Sequence, residues 1–185
     1  MNRRRPLTAL AHELLGGSLQ PGAKAIDATA GNGHDTLFLA QAATLSGQVY
    51  AFDIQQQALQ NTAERLQRAG LSESVTLCHS GHENMLRQVP EDWPGEVSAI
   101  TFNLGYLPGS DKQTTTVPGP TLQALDQAMQ LLRPGGALSI LAYRGHAGGR
   151  QEAEAVSHWL AQQNGLECQT HESPGPVLYH CTKKP

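Results

Sequence analysis

The chain has few aromatic residues, few charged residues, few cysteines and no long hydrophobic run. Phe, Trp and Tyr make up 5% of its 185 residues, and Asp, Glu, Lys and Arg make up 16%. No apolar run approaches the roughly 20 residues of a membrane-spanning helix, and the basic start of the chain lacks the hydrophobic segment of a signal peptide. With 39% hydrophobic residues, the composition predicts one globular domain over residues 1–185.

The three cysteines, Cys78, Cys168 and Cys181, are an odd and widely spaced set. They lack the spacing of a metal site, so we expect buried or inert thiols in a reducing compartment. The sequence therefore predicts a cytoplasmic location. Neither the cysteines nor the scattered histidines indicate a metal site.

The formal net charge of −3 excludes a generally basic surface. A protein that binds long nucleic acids through phosphates alone is usually basic, so any such contact must come from a local patch. For any single cation, plain solvation at the surface is the simpler interpretation. Candidates lie near the chain start or in predicted loops: Arg3, Arg4, Arg5, Lys112, Arg144 and Arg150.

Strand-like and helix-like segments alternate along most of the chain, which predicts a parallel sheet covered by helices on both faces. A Ser-Pro-Gly-Pro connection at 173–176 can join only antiparallel neighbours, so the last strand should run against the others. We predict strands near 24–28, 48–53, 75–78, 97–102, 137–142, 166–171 and 177–182. We predict helices near 7–15, 35–43, 55–69, 121–133 and 150–163.

A glycine-bearing turn between the first strand and the next helix is the centre of this pattern. Gly31 and Gly33 allow a tight bend or the close approach of a ligand, and the turn opens onto a helix N-terminus. Asp53 ends the second strand about 20 residues later, where nucleotide-binding α/β folds hold ribose hydroxyls. Thr36 occupies the third glycine position of a dinucleotide fingerprint, which argues against a nicotinamide-dependent oxidoreductase. The alternative is a turn with two conformational glycines and a surface acid.

The loop after the fourth strand, residues 102–116, lies at the same sheet edge and is long for a strand–helix connection. Its Asn103-Leu104-Gly105-Tyr106 is similar to the (Asn/Asp)-Pro-Pro-(Tyr/Phe) motif of methyltransferases that act on amino nitrogens. An amine must direct its lone pair at the methyl carbon, which acceptors such as the Asn103 carbonyl achieve by holding its hydrogens. The alternative is a turn in which Tyr106 anchors the loop.

Taken together, five stretches resemble the rRNA methylase family, whose characterised members are MnmM-type tRNA methyltransferases: 27–36, 51–55, 79–82, 103–112 and 143–149. The resemblance implies the class I methyltransferase Rossmann-like fold, an α/β fold with a seven-stranded, mostly parallel sheet and an antiparallel last strand. It also implies S-adenosyl-L-methionine as cofactor and a homodimer that binds the tRNA anticodon stem-loop. The implied reaction converts 5-aminomethyl-2-thiouridine at wobble position U34 to the 5-methylaminomethyl form.

The resemblance also implies roles for individual residues. The methionine moiety of the cofactor is expected near Asp27, Gly31, Asn32, Gly33, Asp35 and Thr36, and its ribose near Asp53, Ile54 and Gln55. His82 is expected to contact the adenine or, equally, to pack or cap the following helix. The acceptor side is expected to contain Asn103 for the amine, Tyr106 for the uracil, Lys112 and Arg144 for phosphates, and Tyr143 and His146 beside them.

His146 is a candidate to take the proton of the substrate ammonium, or it only positions the base. The chain departs from the family pattern before the last strand. There the family pattern leads us to expect an aromatic residue and an asparagine, whereas residues 168–172 of this chain are Cys-Gln-Thr-His-Glu. Two alternatives remain open for the function. One is the same cofactor with rRNA or a small amine as acceptor, and the other is a non-enzymatic nucleotide-binding module.

Overall fold

The structure, a computed structural model, describes residues 5–107, 109 and 115–185. Its helices are α1 (Leu7–Gly16), α2 (His34–Ala43), α3 (Gln56–Ala69), α4 (Met85–Gln88), α5 (Pro118–Leu131) and α6 (Gly149–Ala161). Its strands are β1 (Lys24–Asp27), β2 (Gln48–Asp53), β3 (Val75–His79), β4 (Val97–Leu104), β5 (Leu132–Tyr143), β6 (Leu166–Glu172) and β7 (Pro176–Lys183). Within these ranges no helix has the length and apolar character needed to cross a bilayer.

The strands form one seven-stranded sheet in the order β3-β2-β1-β4-β5-β7-β6. Neighbours from β3 to β5 pair in parallel, whereas β7 is antiparallel to both β5 and β6. The turn between β6 and β7 is too short for the crossover that parallel strands require. The prediction of a reversed last strand is therefore confirmed.

Helices cover both faces of this sheet. Successive strand residues point to opposite faces, so Ile26 joins a cluster with α5 and α6 while Ala25 joins one with α2 and α3. Helix α1 lies on the second face, where its apolar side packs on Leu141 of β5 and Leu178 of β7. The faces are thus filled, and ligands must bind where the loops meet at the carboxyl ends of the strands.

Two boundaries differ from the predicted ones near the middle of the chain. Helix α5 begins at Pro118 rather than near 121, because proline suits the first helical turn, where its missing N–H costs nothing. Strand β5 begins at Leu132, inside the predicted helix, because Leu132 pairs with Val97 before the register shifts. Gly135, with φ of +73°, lies in this irregular stretch. The helix expected to start near Glu83 is present as α4, a single turn that begins at Met85.

The expectation of three separate thiols is wrong for two of the cysteines. Cys168 and Cys181 form a disulfide, because the antiparallel register of β6 and β7 places them opposite each other. Only the pairing of the two strands creates this proximity, which sequence spacing did not indicate. Cys78 is free, and burial raises the pKa of its thiol.

Candidate active site

A cavity of about 1020 Å³ opens at the carboxyl edge of the sheet. The glycine turn, the ends of β2 and β4, and the first turns of α1 contribute to its wall. Many residues predicted from the sequence line it, namely Gly31, Asn32, Asp35, Asp53, Ile54, Gln55, His82, Asn103, Tyr106 and Tyr143. Sequence reasoning missed several other lining residues, among them Thr8, His12, Ser80, Glu83 and Val117.

The glycine turn is held against helix α3. Gly33 has φ of +76°, and a Cβ at this position would lie 2.8 Å from Cα of Thr62. Only glycine therefore fits between the turn and α3. From the other side, Arg65 of α3 donates its Nε hydrogen to the carbonyl of Asn32 at 2.8 Å. The turn is thus fixed by tertiary contacts before any ligand binds.

Asp27 supports the turn from below and is completely buried. Its two carboxyl oxygens accept hydrogen bonds from the hydroxyl of Thr36 at 2.6 Å and the backbone N–H of Thr29 at 3.1 Å. Burial, with a smaller contribution from the charge of Asp35, raises the pKa of Asp27 to about 7. Asp27 and Thr36, like Gly33, lie behind the residues that line the cavity.

Asp53 joins the end of β2 to the glycine turn. One carboxylate oxygen accepts the N–H of Gly31 and the other accepts the N–H of Gln55, both at 2.9 Å. The carboxylate therefore stands at the cavity in a fixed orientation. Next to it, Ile54 is 57% exposed and offers an apolar surface to the cavity.

His82 lies deeper in the cavity wall, at the start of a short helical turn. Its Nδ1 hydrogen is donated to the carbonyl of Ala28 at 3.3 Å, and its ring meets the edge of Phe102. Burial lowers the pKa of His82, so the imidazole is neutral near pH 7. The position fits both predicted roles, since the ring packs in the protein and also borders the cavity.

Three polar side chains form a hydrogen-bonded chain across the site. The Nδ2 group of Asn103 donates to one carboxylate oxygen of Asp35. The other oxygen of Asp35 contacts Nε2 of His12 at 2.5 Å. The His12 ring is stacked on Phe38, with ring centroids 4.2 Å apart. His12 was not predicted, because a histidine within a short amphipathic helix gives no signal of what the fold places opposite it.

Tyr106 and Tyr143 border the cavity beside Asn103, whereas His146 packs behind them. The ring of Tyr106 meets the His146 ring edge-on at 5.8 Å. Nδ1 of His146 donates to the carbonyl of Ala147, and its Nε2 is buried with no hydrogen-bond partner among the described residues. Burial and the charge of Asp35 raise the pKa of Tyr143. His146 therefore does not line the cavity itself but contacts Tyr106, which does.

Three of the six predicted cations, Arg5, Arg144 and Arg150, lie among the described residues. Arg144 donates to the carbonyls of Ser173 and Gly175 in the β6–β7 turn, at 2.7 and 3.0 Å. Together with Arg150 it lines a second cavity, of about 460 Å³. Arg5 pairs with Glu13 of α1 at the surface. The remaining candidates, Arg3, Arg4 and Lys112, lie outside the described residues.

No grouping of three His, Cys, Asp or Glu side chains could hold a metal ion in the part of the chain that the structure describes. The hydrogen-bonding groups of the large cavity indicate which ligands it suits. A fixed carboxylate at the end of β2 suits a ribose, and an amide with a locked NH2 group suits an amine acceptor.

One family matches most of the chain. The sequence profile of the family described as "Putative rRNA methylase" matches residues 49–173. This chain belongs to that family. Among its relatives, the chloroplastic tRNA (mnm(5)s(2)U34)-methyltransferase of Arabidopsis thaliana is 41% identical over 161 residues. The match covers 83% of this chain and 58% of the Arabidopsis protein, so the chain spans less than two thirds of that relative's length.

Solved structures of similar proteins share the fold over almost the whole chain. A family member from Clostridium thermocellum, described in the same words, is 36% identical with a TM-score of 0.91, over 98% of this chain and 99% of that one. A "putative methyltransferase" from Streptococcus mutans, solved in complex with SAH, is 35% identical with a TM-score of 0.85 over the same shares. The predicted family and the class I methyltransferase Rossmann-like fold are confirmed.

Proposed function

We propose that this protein is an S-adenosyl-L-methionine-dependent N-methyltransferase of tRNA. Its substrate is 5-aminomethyl-2-thiouridine at wobble position U34, and its product is the 5-methylaminomethyl form. One observation carries this proposal: the Asn103 amide, locked by Asp35, lies in the same cavity as the Asp53 carboxylate and the glycine turn. The name of the Arabidopsis relative specifies the same modified base.

The cavity fits the cofactor that the family implies. Its volume of about 1020 Å³ is at the upper end of the range for ligand pockets, which leaves room for a nucleoside beside the cofactor. Asp53 would accept hydrogen bonds from the ribose hydroxyls, and the exposed side chain of Ile54 would pack on the adenine. Gly31 and Asn32 would border the methionine moiety, with His82 at the adenine end.

The residues around Asn103 can orient an amine. S-adenosyl-L-methionine supplies an electrophilic methyl group, which passes to the acceptor nitrogen while the sulfur keeps the electrons of the broken C–S bond. Because the NH2 group of Asn103 donates to Asp35, its Oδ1 is presented as an acceptor for an amine hydrogen. The acceptor amine loses one proton overall, and alignment of its lone pair can supply much of the rate.

An anticodon stem-loop fits this protein better than a long duplex does. The net charge of −3 argues against extensive phosphate binding, but splayed loop bases are recognised largely by stacking. Of the two tyrosines that border the cavity beside Asn103, Tyr106 is the one we propose to stack on the uracil. Arg144 and Lys112 remain the proposed phosphate contacts, and Tyr143 a further contact to the base.

The remaining parts of the proposal concern the whole protein. We propose a single methyltransferase domain over residues 1–185, a homodimer and a cytoplasmic location. Because Cys168 and Cys181 form a disulfide, the cysteines give weaker support to a cytoplasmic location, and the proposed location rests on the tRNA substrate.

A small amine or rRNA is the second candidate acceptor. The small amine is favoured by the acidic net charge, and rRNA by the family's description.

The deciding experiment is nucleoside mass spectrometry of tRNA from cells that lack this protein. The tRNA is incubated with purified protein and S-adenosyl-L-methionine, and we expect 5-aminomethyl-2-thiouridine to disappear as its methylamino product forms. Asn103→Ala should form little product, and Asn164→Ala, at an exposed asparagine, should behave as wild type. If the protein binds the cofactor but no tRNA nucleoside changes, the substrate assignment is wrong and rRNA and small amines become the acceptors to test.

A further inference from the structure

The hydrogen-bonded chain of His12, Asp35 and Asn103 joins three elements that are distant in sequence. His12 lies on α1, Asp35 in the first turn of α2, and Asn103 near the end of β4. The first pair is separated by 23 residues and the second by 68. The His12 and Asp35 side chains are 29% and 14% exposed, so the chain is partly shielded from solvent.

We propose that His12 is a positioning residue for methyl transfer. It acts through Asp35 by fixing which way the Asn103 amide points, so that the amide oxygen faces the acceptor amine. This inference rests on the proposed function for the identity of the amine. The hydrogen-bonded chain of His12, Asp35 and Asn103 is itself a property of the folded protein and can be tested without any substrate.

The physical argument begins with the symmetry of an amide side chain. An asparagine can present either its oxygen or its NH2 group to a ligand, and only the neighbouring hydrogen bonds choose between them. The backbone N–H of Asn103 donates to Thr29, which fixes the main chain but not the amide. Asp35, an acceptor when ionised, makes the choice by accepting from Nδ2.

Asp35 needs a second partner to make this choice rigidly. A carboxylate held at one oxygen can still rotate about its χ2 bond, whereas a donor at the other oxygen removes this freedom. Nε2 of His12 contacts that second oxygen at 2.5 Å, and the stack on Phe38 holds the imidazole plane. Asp35 also lines the cavity, so the carboxylate that holds the Asn103 amide borders the site itself.

The geometry separates His12 from the other histidine at the site. His12 lines the cavity and contacts a carboxylate that holds Asn103. His146 instead donates to its neighbour Ala147, and in the part of the chain that the structure describes its buried Nε2 has no hydrogen-bond partner. His12 is thus connected through Asp35 by hydrogen bonds to Asn103, the group that would orient the amine.

Two substitutions separate hydrogen bonding from packing at this position. His12→Phe keeps a ring on Phe38 but removes the donor, and His12→Gln keeps a donor but removes the ring. On tRNA lacking the methyl group, we expect kcat to fall about 10- to 100-fold in His12→Phe and to recover most of that loss in His12→Gln. His158→Phe on α6 is the matched control and should retain wild-type kcat. Retained kcat in His12→Phe with a loss in His12→Gln would overturn the proposal, since packing would then be the role.

A spectroscopic measurement tests, without turnover, whether His12 fixes the orientation of the Asn103 amide. In ¹H–¹⁵N spectra, the side-chain NH2 signals of Asn103, assigned by their absence in Asn103→Ala, should shift in His12→Phe and stay near wild type in His12→Gln. Unchanged signals in His12→Phe would overturn the proposal even if kcat fell. If wild type does not methylate tRNA but these shifts occur, the proposed function is wrong, whereas the role of His12 in orienting the Asn103 amide is supported. His12→Leu replaces His12→Phe in both experiments if the phenylalanine variant does not fold.

Discussion

At the scale of single residues, Gly33 allows the glycine turn to pack against helix α3 because it has no side chain. Its φ of +76° and the 2.8 Å from an added Cβ to Cα of Thr62 are two separate obstacles to substitution. A positive φ alone costs an L-residue roughly 1–2 kcal/mol. The backbone of α3 cannot move aside as a flexible side chain would, so the second obstacle adds to the first.

We therefore expect Gly33→Ala to lower the free energy of unfolding by more than about 2 kcal/mol. Gly70→Ala is the matched control, because Gly70 has φ of +70° but open space around its Cβ position. Urea denaturation of both variants measures the difference. Equal losses in the two variants would show that contact with α3 does not constrain the turn.

Asp27 is a second residue whose environment makes a definite prediction. Burial and the charge of Asp35 raise the pKa of Asp27 from 3.8 to about 7. Between about pH 4 and pH 7, Asp27 is therefore protonated in the folded protein and ionised in the unfolded chain. The contribution of Asp27 to stability is therefore complete below about pH 4 and is lost as the pH rises towards 7. At about 1.4 kcal/mol for each pKa unit, the change amounts to a few kcal/mol.

Asp27→Asn should remove this dependence, because asparagine cannot ionise. Its amide can still accept from the N–H of Thr29 and donate to the hydroxyl of Thr36, the two groups that Asp27 contacts. Urea denaturation between pH 4 and pH 8 should show a smaller decline in stability for the variant than for wild type. Parallel curves for the two proteins would mean that Asp27 is ionised throughout.

At the scale of elements, a buried carboxylate ties α6 to the loop that enters the site. Glu152 of α6 accepts the hydroxyl of Thr121 on α5 at 2.7 Å and that of Thr116 at 2.6 Å. The backbone N–H of Thr116 in turn donates to Gly105, next to Tyr106. Two helices of one sheet face therefore hold the segment that carries the predicted base-stacking residue.

Removing one of these donors should be costly, because Glu152 and Thr121 are both fully buried. We expect Thr121→Val, a change of similar shape, to lower the free energy of unfolding by about 1–3 kcal/mol. Thr121→Ser keeps the hydroxyl and should lose less. Chemical denaturation of the three proteins checks the order, and a valine variant as stable as wild type would contradict it.

At the scale of the whole molecule, ligand binding should stabilise the fold, since the cavity wall combines residues from most of the sheet. A ligand that binds only the folded state at 100 times its Kd adds about 2.7 kcal/mol. We expect S-adenosyl-L-methionine to raise Tm by several degrees in wild type and by much less in Asp53→Ala. Asp92→Ala, which breaks a surface contact with Lys24, should respond as wild type does. An undiminished shift in Asp53→Ala would exclude Asp53 from cofactor binding.

The sequence by itself determined most of the fold and many of the residues that line the large cavity. Alternating apolar segments, Gly31 and Gly33, and the Ser-Pro-Gly-Pro turn are local signals, and each reports a conformation of nearby backbone. From these signals the parallel sheet, its reversed last strand and the positions of Asp53 and Asn103 at one edge could be predicted.

Only the tertiary structure decided which distant side chains meet. The Cys168–Cys181 disulfide depends on the register of β6 and β7, and the packing of α1 brings His12 to Asp35. It also placed Asp27 and Thr36 behind the cavity wall rather than on it. Local patterns cannot specify such contacts, because long-range proximity follows from the packing of whole elements, whereas periodicity reports only which face of an element is buried.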